Sequence, residues 1–314
     1  MPLDLRQLRY FVAVAEEGHI TRAAERLGMA QPPLSQQIKA IEAQLGAPLF
    51  RRKPRGVELT DSGRVLLEEA RIILAHLAQA ERSALSAARG ELGRLSLVVA
   101  PTAPFHPFVP RVIRAYREAF PGVTLTLEEA LSRPAVQALQ ERRIDAAFIR
   151  AELPDTARLT LHRLIDEPLV VALPATHALA CDAGSPRPLA DFAQESFVAF
   201  ARAEGPGIFE ASLAACLRAG FTPRLGQEAP RITSTLGLVA AGLGIALVPA
   251  SMRRVQMDGV AYCDLPAQDC PTVPLHLAVR REPGSLVLRH FVDLVRRLLR
   301  DVGPDWSAPP VSGR

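Results

Sequence analysis

Between Ser62 and Arg89 the chain has no proline, and Leu66, Ala70, Ile73, Leu77, Ala80, Ala84 and Ala87 follow one another at steps of 4, 3, 4, 3, 4 and 3. Only an α-helix gathers such a series on one face, so the stretch predicts a single helix, roughly 40 Å long at ~1.5 Å per residue. Alanine in the second half of the stripe suits close approach to another helix. Two readings stand: a seam that pairs with a second copy of the chain, or a helix lying on the core of its own domain. Either way the helix divides the chain, with a hinge at Gly90 and Gly93.

The two sides differ in charge. Residues 1–60 hold nine basic groups against six acidic ones, and the remainder holds 28 against 27, so most of the formal +4 belongs to the N-terminal end. Lys39 and Lys53, the two lysines of the chain, both lie there. From Lys39 to Arg55 there are five cations and one carboxylate, Glu42. A basic end on a near-neutral body points to a polyanion held by that end. With 48% hydrophobic and 22% charged residues, the composition excludes a disordered chain.

The basic end reads as three short helices and a hairpin. Leu5, Leu8, Phe11, Val12 and Ala15 stand at helical spacing and Gly18 ends the run. Thr21 is expected as the N-cap of a second helix, in which Ala23 and Ala24 permit close packing. After a turn at Gly28, Gln31, Pro32 and Pro33 open a third helix, since proline suits a first helical turn. Leu34, Ile38, Ile41 and Leu45 give that helix one apolar stripe, and Pro32, Ser35, Gln36 and Lys39 project from the opposite side. Short neutral donors and acceptors with one cation can enter a major groove and read base edges. Arg51, Arg52, Lys53 and Arg55, in a turn between two short extended segments, are placed to reach phosphate together with Thr21 and Arg22.

The stretch from Leu8 to Arg52, followed by GVELTDSG, resembles nearly residue for residue the winged helix-turn-helix of LysR-type transcriptional regulators. More loosely, the resemblance extends to about residue 300. It implies an N-terminal all-α winged helix-turn-helix over 1–60, with the helix opening at AQPPLSQQI as recognition helix. A linker helix over 61–90 would dimerise through Leu66, Ala70, Ile73, Leu77, Ala80 and Ala84. Residues 91–300 would form a two-lobed, periplasmic-binding-protein-like α/β effector domain, one lobe from about 92–165 and 271–300, the other from about 166–270. The tail, 301–314, with a lone Trp306, is expected to be mobile.

The residues of the second part agree with an α/β domain. Apolar strands such as LSLVVA, DAAFI and IALVP alternate with helical patterns such as RVIRAYREAF and ASLAACLRAGF, which predicts mainly parallel sheets. Ligands of such sheets lie at the carboxyl ends of strands. Thr102 and Ala103 follow the first strand, Ser132 is expected to cap the next helix, Pro206 and Phe209 follow SFVAF, and Ile232 with Thr233 opens a helix of the other lobe. The resemblance is greatest to the branch that senses aromatic-pathway acids such as muconate and benzoate. There the positions similar to Thr102, Ser132, Pro206, Phe209 and Ile232 contact the effector. The chain departs from that branch in the loop PTAPFHPFVP, whose prolines at 101, 104, 107 and 110 remove backbone donors. His106 or Arg202 is expected to supply compensating charge, and Arg150 to join an ion pair between lobes.

Other classes find little support. There is no GxxxxGK[ST], HExxH or GxSxG, and Gly242 with Gly244 lacks the third glycine of a dinucleotide loop, Leu247 standing there. No cofactor and no metal is implied. Cys181, Cys216, Cys263 and Cys270 lack CxxC spacing and read as reduced thiols, a Cys263–Cys270 pair being the alternative. The uncharged stretch Ile232 to Met252 is interrupted by Gly237, Gly242, Gly244 and Pro249, and reads as a buried helix, turn and strand rather than a membrane span. No signal peptide is recognisable, so a cytoplasmic protein is expected. The expected function is a transcriptional regulator, not an enzyme. Its partners would be a dyad-symmetric DNA operator, a small organic acid, further copies of itself as a dimer of dimers, and RNA polymerase. The alternative is a two-lobed binding protein or enzyme with an incidental DNA-binding domain, and the basic N-terminal end argues against it.

Overall fold

The computed structural model describes residues 3–151, 158–180, 186–200, 207–268, 270–282 and 284–302. The chain divides into two compact units, Met1–Ala88 and Arg89–Arg314.

In the first unit, α1 (Leu5–Glu17) opens on Asp4, whose carboxylate accepts from the Gln7 N–H at 2.7 Å while the Gln7 side chain accepts from the Asp4 N–H at 3.0 Å. This reciprocal cap satisfies two donors that the helix leaves free. Helix α2 (Ile20–Arg26) starts from His19, so Thr21 lies inside the first turn and is not the N-cap. The hydroxyl arrives two positions too late to serve the free donors. Helix α3 (Gln31–Leu45) follows, then β1 (Phe50–Lys53) and β2 (Gly56–Leu59), paired antiparallel, and α4 (Asp61–Ala88), 28 residues long. Phe11, Val14, Ala23, Ala24, Leu34, Ile41, Leu49 and Ala70 form the buried centre. Leu45 departs from the predicted stripe: it is 45% exposed, because the helix ends beside it at Gly46.

The second unit begins with β3 (Gly93–Val99), α5 (Phe108–Ala119), β4 (Val123–Glu129), α6 (Ser132–Gln140), β5 (Ala146–Ile149) and the 16-residue β6 (Leu159–Pro174). The chain continues through β7 (Ser196–Phe200), α7 (Ile208–Arg218), β8 (Arg224–Ala229), α8 (Ile232–Ala240), β9 (Ala246–Pro249) and β10 (Val260–Cys263), and returns by β11 (Thr272–Arg280) and α9 (Leu286–Val302). The principal sheet runs β10-β6-β11-β5-β3-β4, with β9 also on β6. Strands β3, β4 and β5 are parallel, as are β7 and β8, but β6 and β11 run antiparallel to their neighbours. The sheets are therefore mixed rather than mainly parallel, because a chain that leaves one lobe and comes back must cross in both directions. One core forms around Phe108, Tyr116, Phe148 and Phe291, another around Phe192, Leu236, Val248 and Met252. Fully burying one such side chain contributes about 1.5–3 kcal/mol.

Two expectations about cysteines change. Cys216 and Cys270 are free, so Cys263 and Cys270 are not paired with each other. Cys263 is nevertheless disulfide-bonded, against the expectation of four reduced thiols; spacing along the chain does not foretell such a pairing. Cys181, Arg202, Pro206 and Trp306 lie outside the described residues.

Candidate nucleic-acid interface and effector cleft

Helix α3 presents two faces. Leu34 and Ile41 are fully buried and Ile38 is 4% exposed, while Gln31, Pro32, Pro33, Gln36 and Lys39 are exposed and Ser35 is half-buried. The packing stripe thus leaves the residues expected to read bases exposed on the other side. In the hairpin, Arg51, Arg52, Lys53 and Arg55 are all exposed. They are not equivalent: Lys53 Nζ lies 2.9 Å from a Glu58 carboxylate oxygen across the strands, and that cation holds Glu58 below the usual carboxylate range. Thr21 is exposed on α2. Arg22 donates from Nη2 to the Glu17 carbonyl at 2.6 Å, closing the end of α1.

Two further groups organise this unit. Arg26 and Arg71 meet Glu16, each at 3.0 Å, and hold its carboxyl below its usual range; they tie α2 and α4 to α1. Glu42 accepts from the backbone N–H groups of Leu49 and Phe50 at 2.8 and 3.1 Å. Neither role was visible as helical periodicity.

In the second unit, the carboxyl ends of β3 and β5 meet: the Ala100 N–H donates to the Phe148 carbonyl at 2.8 Å. Thr102 and Ala103 lie just beyond, 1% and 0% exposed. Ser132 is not a helix cap. Leu131 takes that position, and the Ser132 hydroxyl accepts from the Arg150 N–H at 3.1 Å, so it braces the end of β5. Phe209 lines a cavity of about 30 Å³ within the second lobe, room for little more than water. Ile232 belongs to that lobe's core and Thr233 is exposed.

The centre of this region is a pair that bridges lobes. Arg150 Nη2 lies 2.5 Å from Glu167 Oε2, with the side chains 4% and 3% exposed. The other Glu167 oxygen accepts from the Ser251 N–H at 2.7 Å, in a 3-10 turn (Ala250–Arg254) of the second lobe. Among the described residues Arg150 Nε and Nη1 are buried without a hydrogen-bond partner. Burial lowers the Arg150 pKa, against the pull of Glu167. Phe105 and Leu131, both of the first lobe, pack against the core of the second. His106 does not supply charge. Burial pushes it down to about 4, with Glu167 opposing and Arg150 and Arg254 assisting, and its Nδ1 accepts from the Phe108 N–H at 3.3 Å. It is therefore neutral near pH 7.

Both halves of this description have counterparts among known proteins. The profile described as Bacterial regulatory helix-turn-helix protein, lysR family, matches residues 5–64, and that of the LysR substrate binding domain matches residues 88–300. The chain belongs to the LysR family of DNA-binding transcriptional regulators. This LysR-family regulator is 40% identical to the HTH-type transcriptional regulator IlvR of Caulobacter vibrioides over 311 residues, 98% of this chain and all of the relative. Full-length CbnR complexed with its target DNA superposes with a TM-score of 0.80 at 30% identity, covering 95% of this chain and all of that one. The BenM effector-binding domain with benzoate gives 0.61 at 28% identity, over 69% of this chain and 96% of that one.

The apolar stripe of this LysR-family regulator is divided along α4. Ala70 is fully buried and Leu66 half-buried against the first unit's own core. The other reading of the stripe, a helix on its own domain, thus holds for its first two positions. Beyond them Ile73 is 43% exposed, Leu77 half-buried and Ala80 and Ala84 exposed, with Ile72 and Leu85 also open. Among the described residues no helix is long and apolar enough to cross a membrane.

Proposed function

We propose that this regulator reads a dyad-symmetric operator with Gln31, Pro32, Pro33, Ser35, Gln36 and Lys39 of α3, while Thr21, Arg22, Arg51, Arg52, Lys53 and Arg55 hold phosphates. The division is a reader over 1–60, a linker helix over 61–90 and an effector domain over 91–300, lobes parting at about 166 and 270. Copies pair through Ile73, Leu77, Ala80 and Ala84 and assemble as a dimer of dimers. The protein acts in the cytoplasm as a binder rather than an enzyme, and RNA polymerase is the machinery it influences.

The effector is a small carboxylate, bound between the lobes near Thr102, Ala103, Ser132 and Arg150. One observation carries this reading: the buried Arg150 guanidinium has two nitrogens, Nε and Nη1, without a hydrogen-bond partner among the described residues. Unmatched buried donors are costly, and a carboxylate is the complement that a guanidinium fork binds best. That BenM's domain holds benzoate supports the same ligand class. Closure of the lobes on the acid would change how the paired copies bend DNA. The test is calorimetry of the full chain against a panel of small carboxylates, expecting a hit that is lost in Thr102→Val and Arg150→Met. A hit that survives both changes overturns the site.

A further inference from the structure

We infer that Glu42 is a positioning residue for DNA recognition, fixing the wing against the recognition helix. The inference rests on the reader proposed above. A carboxylate is out of place in a segment of five cations facing a polyanion, because it repels phosphate wherever it lies near the duplex. Among the described residues Glu42 makes no ion pair with any of those cations. A single oxygen, Oε1, accepts the N–H groups of Leu49 and Phe50, the residues that lead into β1. Gln36 and Lys39 stand on the same helix, so the element that would read bases also sets where the wing begins.

A second anchor holds the other strand. The Val57 N–H donates to the Gly18 carbonyl at 2.9 Å, joining β2 to the turn between α1 and α2. Gly56 has φ +132°, and a Cβ on it would lie 2.3 Å from that same carbonyl oxygen. Only glycine lets the strand come this close. A hairpin of two four-residue strands has little stability of its own. These two ties, with the Phe11–Phe50 ring contact at 5.4 Å, place its cationic tip.

The test uses the full chain and two DNA probes: a duplex enriched from a random library by the wild-type protein, and the same duplex with its sequence shuffled. Glu42→Ala should bind the selected duplex at least about tenfold more weakly, the size of one lost charge-assisted hydrogen bond. It should bind the shuffled duplex as well as wild type or better, because a negative charge has gone. Glu42→Gln keeps an Oε1 acceptor and should retain most of the selected-duplex affinity. Gly56→Ala, which attacks the wing from its other anchor, should weaken selected binding as Glu42→Ala does, and it decides the matter if Glu42→Ala does not fold. Equal losses on both duplexes, or undiminished binding of the selected one, overturn the inference. Gln36→Ala separates the two levels: if it fails to weaken selected binding the reader itself is wrong, whereas a loss there with none for Glu42→Ala refutes the positioning role alone.

Discussion

The Arg150–Glu167 pair predicts that two changes will be less damaging than one. Both side chains are almost wholly buried at 2.5 Å separation, so Arg150→Met leaves Glu167, among the described residues, with the Ser251 N–H as its remaining hydrogen-bond donor. Breaking a buried pair in this way costs about 3–5 kcal/mol. At roughly 2–4 °C per kcal/mol for a unit of this size, the effector domain should melt about 6–20 °C lower. Adding Glu167→Gln to Arg150→Met removes the stranded charge but keeps an oxygen for Ser251, and should recover on the order of half the loss. The measurement is urea unfolding by far-UV circular dichroism on wild type, both single variants and the double. If the two single losses simply add, to within about 0.5 kcal/mol, the groups are not coupled and the bridge between lobes is not what stabilises this region.

Three other outcomes follow from the same structure. His106 has its pKa lowered to about 4 from 6.5, so the unfolded chain takes up the proton first and stability falls as pH drops from 6.5 towards 4, by up to roughly 3 kcal/mol; His106→Asn should flatten unfolding curves over that window, and unchanged pH dependence would refute the burial argument. Arg52→Ala should reduce the salt slope of DNA binding by about one and Lys53→Ala by less, since Glu58 already shares that cation; equal slopes from titrations at several salt concentrations would refute the distinction. Leu77→Asp should disrupt self-association in sedimentation experiments, whereas Ala70→Val should lower thermal stability without dissociating the assembly, and the reverse pattern would invert the division of α4.

The two faces of α3 were largely legible because periodicity and exposure are tied together on a short helix: burying Leu34, Ile38 and Ile41 leaves Gln36 and Lys39 outside. Glycines at 18 and 28 marked the turns for the same local reason. What stayed hidden involves distant partners. Glu167 lies on β6, 84 residues from Ser251, and neither carries a pattern of its own. Periodicity left open whether Ala70 meets another copy or the chain's own core, because a stripe of small apolar residues reads alike in both. His106 was expected to bring charge, but its proline-rich loop folds inward and burial withholds the proton.

The place of β11 between β5 and β6 bears on how the protein is made. Until Thr272–Arg280 leaves the ribosome, β5 and β6 lack their common neighbour. The chain between Ile149 and Thr272 is about 120 residues, and at ~5–20 residues per second its synthesis lasts about 6–25 s. For that interval β5 presents an open edge, joined by β6 over the roughly 100 residues that follow Pro174, and open strand edges are the kind of surface on which nascent chains aggregate. Chaperones that shield such edges should matter more for the yield of the effector domain than for the DNA reader, which is complete long before.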